Sequence, residues 1–188
     1  TIAVEAMETL PALLGEVDPL KVLQLLPGVQ SAGEGNTGFY VRGGGPDQNL
    51  LLLDNAVVYN ASHLLGFFSV FNTDALQEVD LIKGAMPAQY GGRVSSVLSI
   101  GQRTGDMNRW RRRGGLGLIS SRLTVEGPLV KERASVLLSA RRTYLDLLLN
   151  PFLKNGAFAG TRYFFQDFNG RVDWQASDSD QISLSAYH

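Results

Sequence analysis

The stretch Arg42 to Asn55, RGGGPDQNLLLLDN, sets three glycines, a proline and an amide-rich turn directly ahead of four leucines and an aspartate. Successive backbone N–H groups in such a loop can cradle a phosphate. Nucleotide-binding loops, however, run from a strand into a helix, with glycines spaced GxGxxG or GxxxxGK followed by Ser or Thr. Gly43, Gly44 and Gly45 are consecutive and lead into a short apolar run, so the stretch reads as a tight turn ahead of a strand. A second glycine pair, Gly91 and Gly92, has the same turn character. Arg109, Arg111, Arg112 and Arg113 surround Trp110, a cluster that suits either nucleic-acid or lipid phosphate. Alternation puts Arg109, Arg111 and Arg113 on one face of a strand and Trp110 and Arg112 on the other. An indole beside long cationic side chains favours a membrane interface over nucleic acid. His63 has no nearby Cys, His or carboxylate pair, which argues against a metal ligand. The chain has two histidines and no cysteine, and no triad or carboxylate pair is marked by spacing, so no enzyme and no cofactor are expected.

The elements that would carry these residues fall into two unlike halves. Residues 1–100 hold four Lys/Arg against ten Asp/Glu, and the remainder thirteen against eight. No apolar run is long enough for a spanning helix. In the acidic half, Asp18-Pro19 predicts an N-cap and first helical residue, with a leucine stripe reaching Leu26 before Pro27-Gly28 stops it. A second short helix is expected from Asn72 or Thr73. Phe39 to Arg42, Leu50 to Leu53, Val57 to Tyr59, Val79 to Lys83 and Val94 to Ile100 read as strands. The leucines at 50–53 do not alternate, which fits a strand covered on both faces. A small mixed α/β sheet with short helices follows.

The segment from Leu25 to Ile100 resembles the plug domain of TonB-dependent outer-membrane receptors, specifically the type common in Bacteroidetes-like bacteria. The resemblance is carried by ordered pieces: PGV, a strand ending in RG, LLLLDN where the family usually has LIDG, a strand ending in IKG, and QYGGRVSSVLSI at the close. Asn55 replaces a glycine, yet asparagine tolerates the positive φ of such a turn.

A plug implies a barrel, and the second half carries that pattern independently. Transmembrane barrel strands of about ten residues alternate apolar and polar side chains. Phe168, Gly170, Val172, Trp174 and Ala176 alternate with Asp167, Asn169, Arg171, Asp173 and Gln175. The same alternation recurs around 119–126, 135–141 and 181–187. Strands are expected near 108–118, 120–129, 134–147, 163–177 and 180–188, with tight turns at 131–134 and 177–180 and a longer connection from Asn150 to Arg162. The expected domains are therefore a plug over 1–103 and the N-terminal strands of a transmembrane β-barrel over 104–188, a fragment of a larger barrel.

The resemblance implies a receptor in the outer membrane of a Gram-negative bacterium, with the plug gating energy-coupled uptake of a scarce or large substrate. The implied partners are the TonB-ExbB-ExbD complex, pulling on a segment upstream of Thr1, a SusD-like surface lipoprotein, and outer-membrane lipid; nucleic acid is not among them. The implied substrate is a small molecule, glycan or peptide. It also implies that Arg42 and Lys83, with Arg93, restrain the plug against carboxylates of the barrel wall, Glu126 being a candidate. Asn60, Ser62, His63, Phe67 and Phe68 would face substrate. Gly28 to Gly45 would be a low-stability element. The competing reading is a soluble α/β ligand-binding module joined to a β domain.

Overall fold

The computed structural model describes residues 2–7, 17–33, 36–63, 66–147 and 164–188. These residues form two compact units that divide between Arg103 and Thr104.

In the first unit, Asp18 caps helix α2 (Pro19–Leu23) by accepting the Leu20 N–H at 2.9 Å. The helix is shorter than the leucine stripe suggests: Gln24 ends it, Leu25 is 72% exposed, and Leu26 packs against the core from a turn. The other predicted helix is a single 3-10 turn, Thr73–Ala75, with the Asn72 side chain accepting the Asp74 N–H at 3.2 Å. A further helix, α1 (Val4–Met7), buries Val4 and Met7.

The sheet runs in the order β1 (Ile2–Ala3), β8 (Leu76–Lys83), β9 (Ser96–Gln102), β4 (Asn49–Leu53), β5 (Ala56–Val57). β4 and β9 are parallel and every other pair is antiparallel. After Asn49, β4 is apolar without alternation because both of its faces are covered. Leu53 joins the main core of Leu20, Phe71, Val79 and Ile100, while Leu50 and Leu52 pack with Val97 beneath Ile82, Met86 and Tyr90. The turn from β4 to β5 takes positive φ at both Asp54 (47°) and Asn55 (68°), the pattern of a two-residue hairpin turn. Two small hairpins complete the unit: β2 (Val29–Ser31) with β3 (Phe39–Val41), and β6 (Ser62–His63) with β7 (Phe68–Ser69).

The glycine-rich stretch needs a correction. Pro46–Gln48 is a 3-10 helix and not a plain turn, because proline sets the first helical φ and the Gln48 N–H reaches back to the Gly45 carbonyl at 3.0 Å. One turn running straight into β4 lacks the long helix of a nucleotide loop. Gly44 is required by space instead, since a Cβ there would lie 2.3 Å from Ser95 Oγ.

The second unit is an antiparallel meander of five strands in sequence order: β10 (Arg111–Leu116), β11 (Ser120–Val130), β12 (Ala134–Thr143), β13 (Gln166–Gln175) and β14 (Gln181–Tyr187). The expected long connection, Asn150 to Arg162, lies outside the described residues. Across β11 to β13 the buried face is largely polar and the exposed face largely apolar. On β13, Asp167 and Asp173 are fully buried and Asn169 is 5% exposed, whereas Phe168 and Trp174 are 47% and 50% exposed. Leu123, Leu138, Ile182 and Leu184 continue the exposed apolar face.

Two buried carboxylates on this face, Asp167 and Asp173, are paired. Arg141 on β12 donates from Nε to Asp167 at 2.8 Å, and Tyr187 on β14 donates to the other carboxylate oxygen at 2.9 Å. Arg171 binds Asp173 on its own strand at 3.0 Å, and Ser183 donates to the same carboxylate at 2.6 Å.

Two outcomes test this arrangement. A lipid-soluble thiol reagent should label Val172→Cys in membranes and leave Asp173→Cys unmodified; equal labelling of both would contradict the assignment of faces. Asp167→Ala strands the Arg141 guanidinium, and thermal unfolding followed by gel mobility should show a loss of about 3 to 5 kcal/mol.

Candidate functional site

Three separate loops of the first unit meet in a cleft of about 280 Å³. Asn36 and Thr37 come from the β2–β3 connection, Asp47 from the 3-10 turn, and Tyr59, Asn60 and Ser62 from the chain following β5, with Arg93 beside them. The Asn36 side chain accepts the Gly38 N–H at 2.8 Å, and the Asn60 side chain accepts the Ser62 N–H at 3.3 Å. These bonds hold the loops in shape and still leave amide donors available. Tyr59 is 87% exposed, so an aromatic face stands at the opening. One cation, one carboxylate, hydroxyls, amides and a ring suit a polar ligand held by hydrogen bonds and stacking. Among the described residues, no three His, Cys, Asp or Glu side chains are grouped as a metal site requires.

Behind the cleft, Asp18 ties α2 to the β6–β7 hairpin. One carboxylate oxygen accepts the Leu20 N–H, and the other accepts the Ser69 N–H at 2.7 Å. Burial pushes the Asp18 carboxyl above the usual carboxylate range, although the bonds from Ser69 and Leu20 and the Lys21 charge all pull it down. Desolvation likewise lowers Lys21, against the attraction of Asp18. The Lys21 ammonium donates to the Phe67 carbonyl at 2.7 Å and lies 5.2 Å and 5.6 Å from the Phe67 and Phe68 ring centres.

Arg42 and Lys83 converge on the turn after α2. The Arg42 N–H donates to the Gly28 carbonyl at 3.1 Å and its guanidinium lies over Gly84, while Lys83 Nζ donates to the Pro27 carbonyl at 2.7 Å.

Residues 5–97 match the family described as TonB-dependent Receptor Plug Domain. This half of the chain is a TonB-dependent receptor plug. No curated protein matches the sequence. Among solved structures, the siderophore receptor PirA from Acinetobacter baumannii is 23% identical with a TM-score of 0.68, over 99% of this chain and 30% of that one. The ferric enterobactin receptor PfeA from Pseudomonas aeruginosa, solved with enterobactin, is 20% identical with a TM-score of 0.65, over 99% and 32%. The outer membrane transporter YddB from Escherichia coli is 16% identical with a TM-score of 0.61, over 97% and 31%. The chain thus spans about a third of the structures it resembles, and these likenesses carry the fold: a plug followed by antiparallel barrel strands. Proteins with this plug lie in the outer membrane of Gram-negative bacteria, and that is the location of this chain.

On the plug, the substrate-facing candidates separate. Asn60 and Ser62 line the cleft. His63 pairs with Phe68 across the β6–β7 hairpin and does not line it. Phe68 is 3% exposed and belongs to the packing beneath the loop, which corrects its placement as a ligand contact; Phe67 is 46% exposed. Arg93, expected among the restraints, lines the cleft, and its Nη1 donates to the Gly92 carbonyl at 2.9 Å. Gly43 and Gly92 take positive φ, at 86° and 82°. Glu126 is buried on the polar face of the second unit, with Arg111 and Leu137 as its strand partners. Asn36, Thr37, Asp47 and Tyr59 carry no local sequence signal, because their proximity comes from loops distant along the chain.

Asp18 supplies the test. Its folded pKa lies above the unfolded one, so the stability it contributes is full below the unfolded value and is lost as pH rises through the folded value. Asp18→Asn should flatten this pH dependence of amide exchange at Ser69. Asp18→Ala leaves two N–H groups without acceptors and should lower protection there by about 1 to 3 kcal/mol.

Proposed function

We propose that this chain is the plug and first wall strands of an outer-membrane transporter, in which the plug gates energy-coupled uptake of a polar ligand received at the loop cleft. The observation that carries this reading is the inverted sheet beside a plug fold: Asp167 and Asp173 are buried, Phe168 and Trp174 exposed. A water-soluble β domain has the opposite distribution.

The ligand would engage Asn60, Ser62, Tyr59 and Arg93. The structural neighbours include receptors for siderophores, and a hydrogen-bonding ligand of that class is the candidate for the cleft. Gating would draw on the TonB-ExbB-ExbD complex, pulling from upstream of β1. This strand has two residues and lies at the sheet edge, paired among the described residues to β8 alone, so little backbone bonding resists its removal. The narrower likeness to Bacteroidetes-type receptors, with a SusD-like lipoprotein partner, rests on the motif order from PGV to the QYGGRVSS close; co-purification of a surface lipoprotein with the intact receptor tests it.

Arg42 and Lys83 would restrain the plug, Lys83 by fixing the Pro27-Gly28 turn through its ammonium and both by offering side-chain donors to the wall. In the intact receptor, Arg42→Ala with Lys83→Ala should raise small-solute conductance and plug proteolysis. Arg93→Ala or Asn60→Ala should weaken ligand binding roughly ten-fold, the scale of a lost charge-assisted or neutral hydrogen bond, without changing leakage. His63→Ala should likewise leave conductance unchanged. Unaltered conductance in the double variant would reject the restraint; a leaky Arg93→Ala receptor would reject the division of roles.

A further inference from the structure

We propose that Arg112 and Trp110 form a binding site for the phosphodiester headgroup of an anionic phospholipid at the rim where β10 enters the sheet. The inference rests on the barrel reading above. This rim carries the turn from β11 to β12, and the Glu132 N–H there donates to the Met107 carbonyl at 3.0 Å, joining the turn to the segment before β10. Arg109, Arg111, Arg112 and Arg113 lie towards the same end of the sheet as Lys131 and Arg133. Asp106 and Glu132 are the nearby acids, while Asp178 and Asp180 belong to the turn between β13 and β14, farther along the meander.

Two observations place one arginine apart from the rest. Asp106 takes Arg111 at 2.8 Å and Arg109 at 3.8 Å; its carboxyl is held low by the Asn108 N–H above all, then by the Arg109 N–H and the two guanidinium charges. Among the described residues no carboxylate pairs with Arg112 or Arg113; Arg113 opposes Thr124 on the polar face, whereas the strand partner of Arg112 is Val125 on the apolar face. Trp110, two residues earlier, lies on the same face. Its ring covers Gly127, where a Cβ would come within 2.3 Å of the indole, and the residue remains 60% exposed.

Val125 also lines an apolar groove of about 600 Å³ with Leu123, Leu138, Ala140, Phe168 and Gly170. A guanidinium fork suits a phosphodiester, an indole suits the interfacial layer, and an adjoining apolar groove suits an acyl chain. A free phosphate would use the first feature only. The conjunction commits the site to a membrane lipid.

The test is native mass spectrometry of the intact receptor offered equal phosphatidylglycerol and phosphatidylcholine. Wild type should retain phosphatidylglycerol by about five-fold, the scale of one charge-assisted contact. Arg112→Gln should abolish this preference, Arg112→Lys should keep part of it, and Arg109→Gln should keep most of it. Equal retention of the two lipids, an equal loss from Arg109→Gln, or displacement of the lipid by millimolar inorganic phosphate would overturn the proposal. Release of the receptor from membranes by alkaline carbonate without detergent would instead overturn the barrel reading, and the lipid site with it.

Discussion

Hydrocarbon offers no hydrogen bonds, so every backbone N–H and C=O that enters it must find a partner within the protein. The meander from β10 to β14 meets this demand along its four ladders, between the outer edges of β10 and β14, and then sorts side chains by face. Apolar groups such as Leu123, Leu138, Trp174 and Leu184 occupy the exposed side, and Asp167, Asp173 and Arg141 lie on the other. A charge confined there is costly unless paired, and the Arg141–Asp167 and Arg171–Asp173 pairs, with Tyr187 on the remaining oxygen of Asp167 and Ser183 donating to Asp173 as well, follow from that confinement. The polar wall is thus a consequence of the solvent outside.

The plug obeys the ordinary rule for a water-exposed domain. Its sheet buries Val79, Val97, Leu98 and Ile100 almost completely, and two of the polar groups that go inside show how they are satisfied locally. Asn49 reaches the Phe39 carbonyl and accepts from Ser96, and Asp18 takes two backbone N–H groups. Rigid strands placed between covered faces leave the connecting loops to shape the cleft. The cleft is therefore made of segments whose variation costs the core little.

How much of this was legible follows from the range of each interaction. Alternation on β13 is a property of ten consecutive residues, and its faces are readable directly. The unbroken leucines of β4 announce two covered faces, and Asp18-Pro19 announces a cap. The end of α2 at Leu23 was not legible, because Leu26 packs inward from a turn as well as it would from a helix. Phe68 was misplaced because an aromatic in a loop looks available until the Lys21 and Asp18 contacts draw its strand inward. The cleft was invisible for a stronger reason: Asn36, Asp47 and Asn60 are neighbours only after β3, β4 and β5 are in place. The seat of Trp110 on Gly127 likewise exists only once β10 and β11 are in register.

The Arg171–Asp173 pair differs from its neighbour in lying within one strand. Residues two apart on an extended chain share a face, so this counter-ion arrives with the strand and needs no second segment. The Arg141–Asp167 pair exists only after β12 and β13 have aligned. During insertion the hairpin of those two strands is accordingly the smallest piece of the wall that enters with both of these pairs already neutralised, and strand addition here has a natural unit of two.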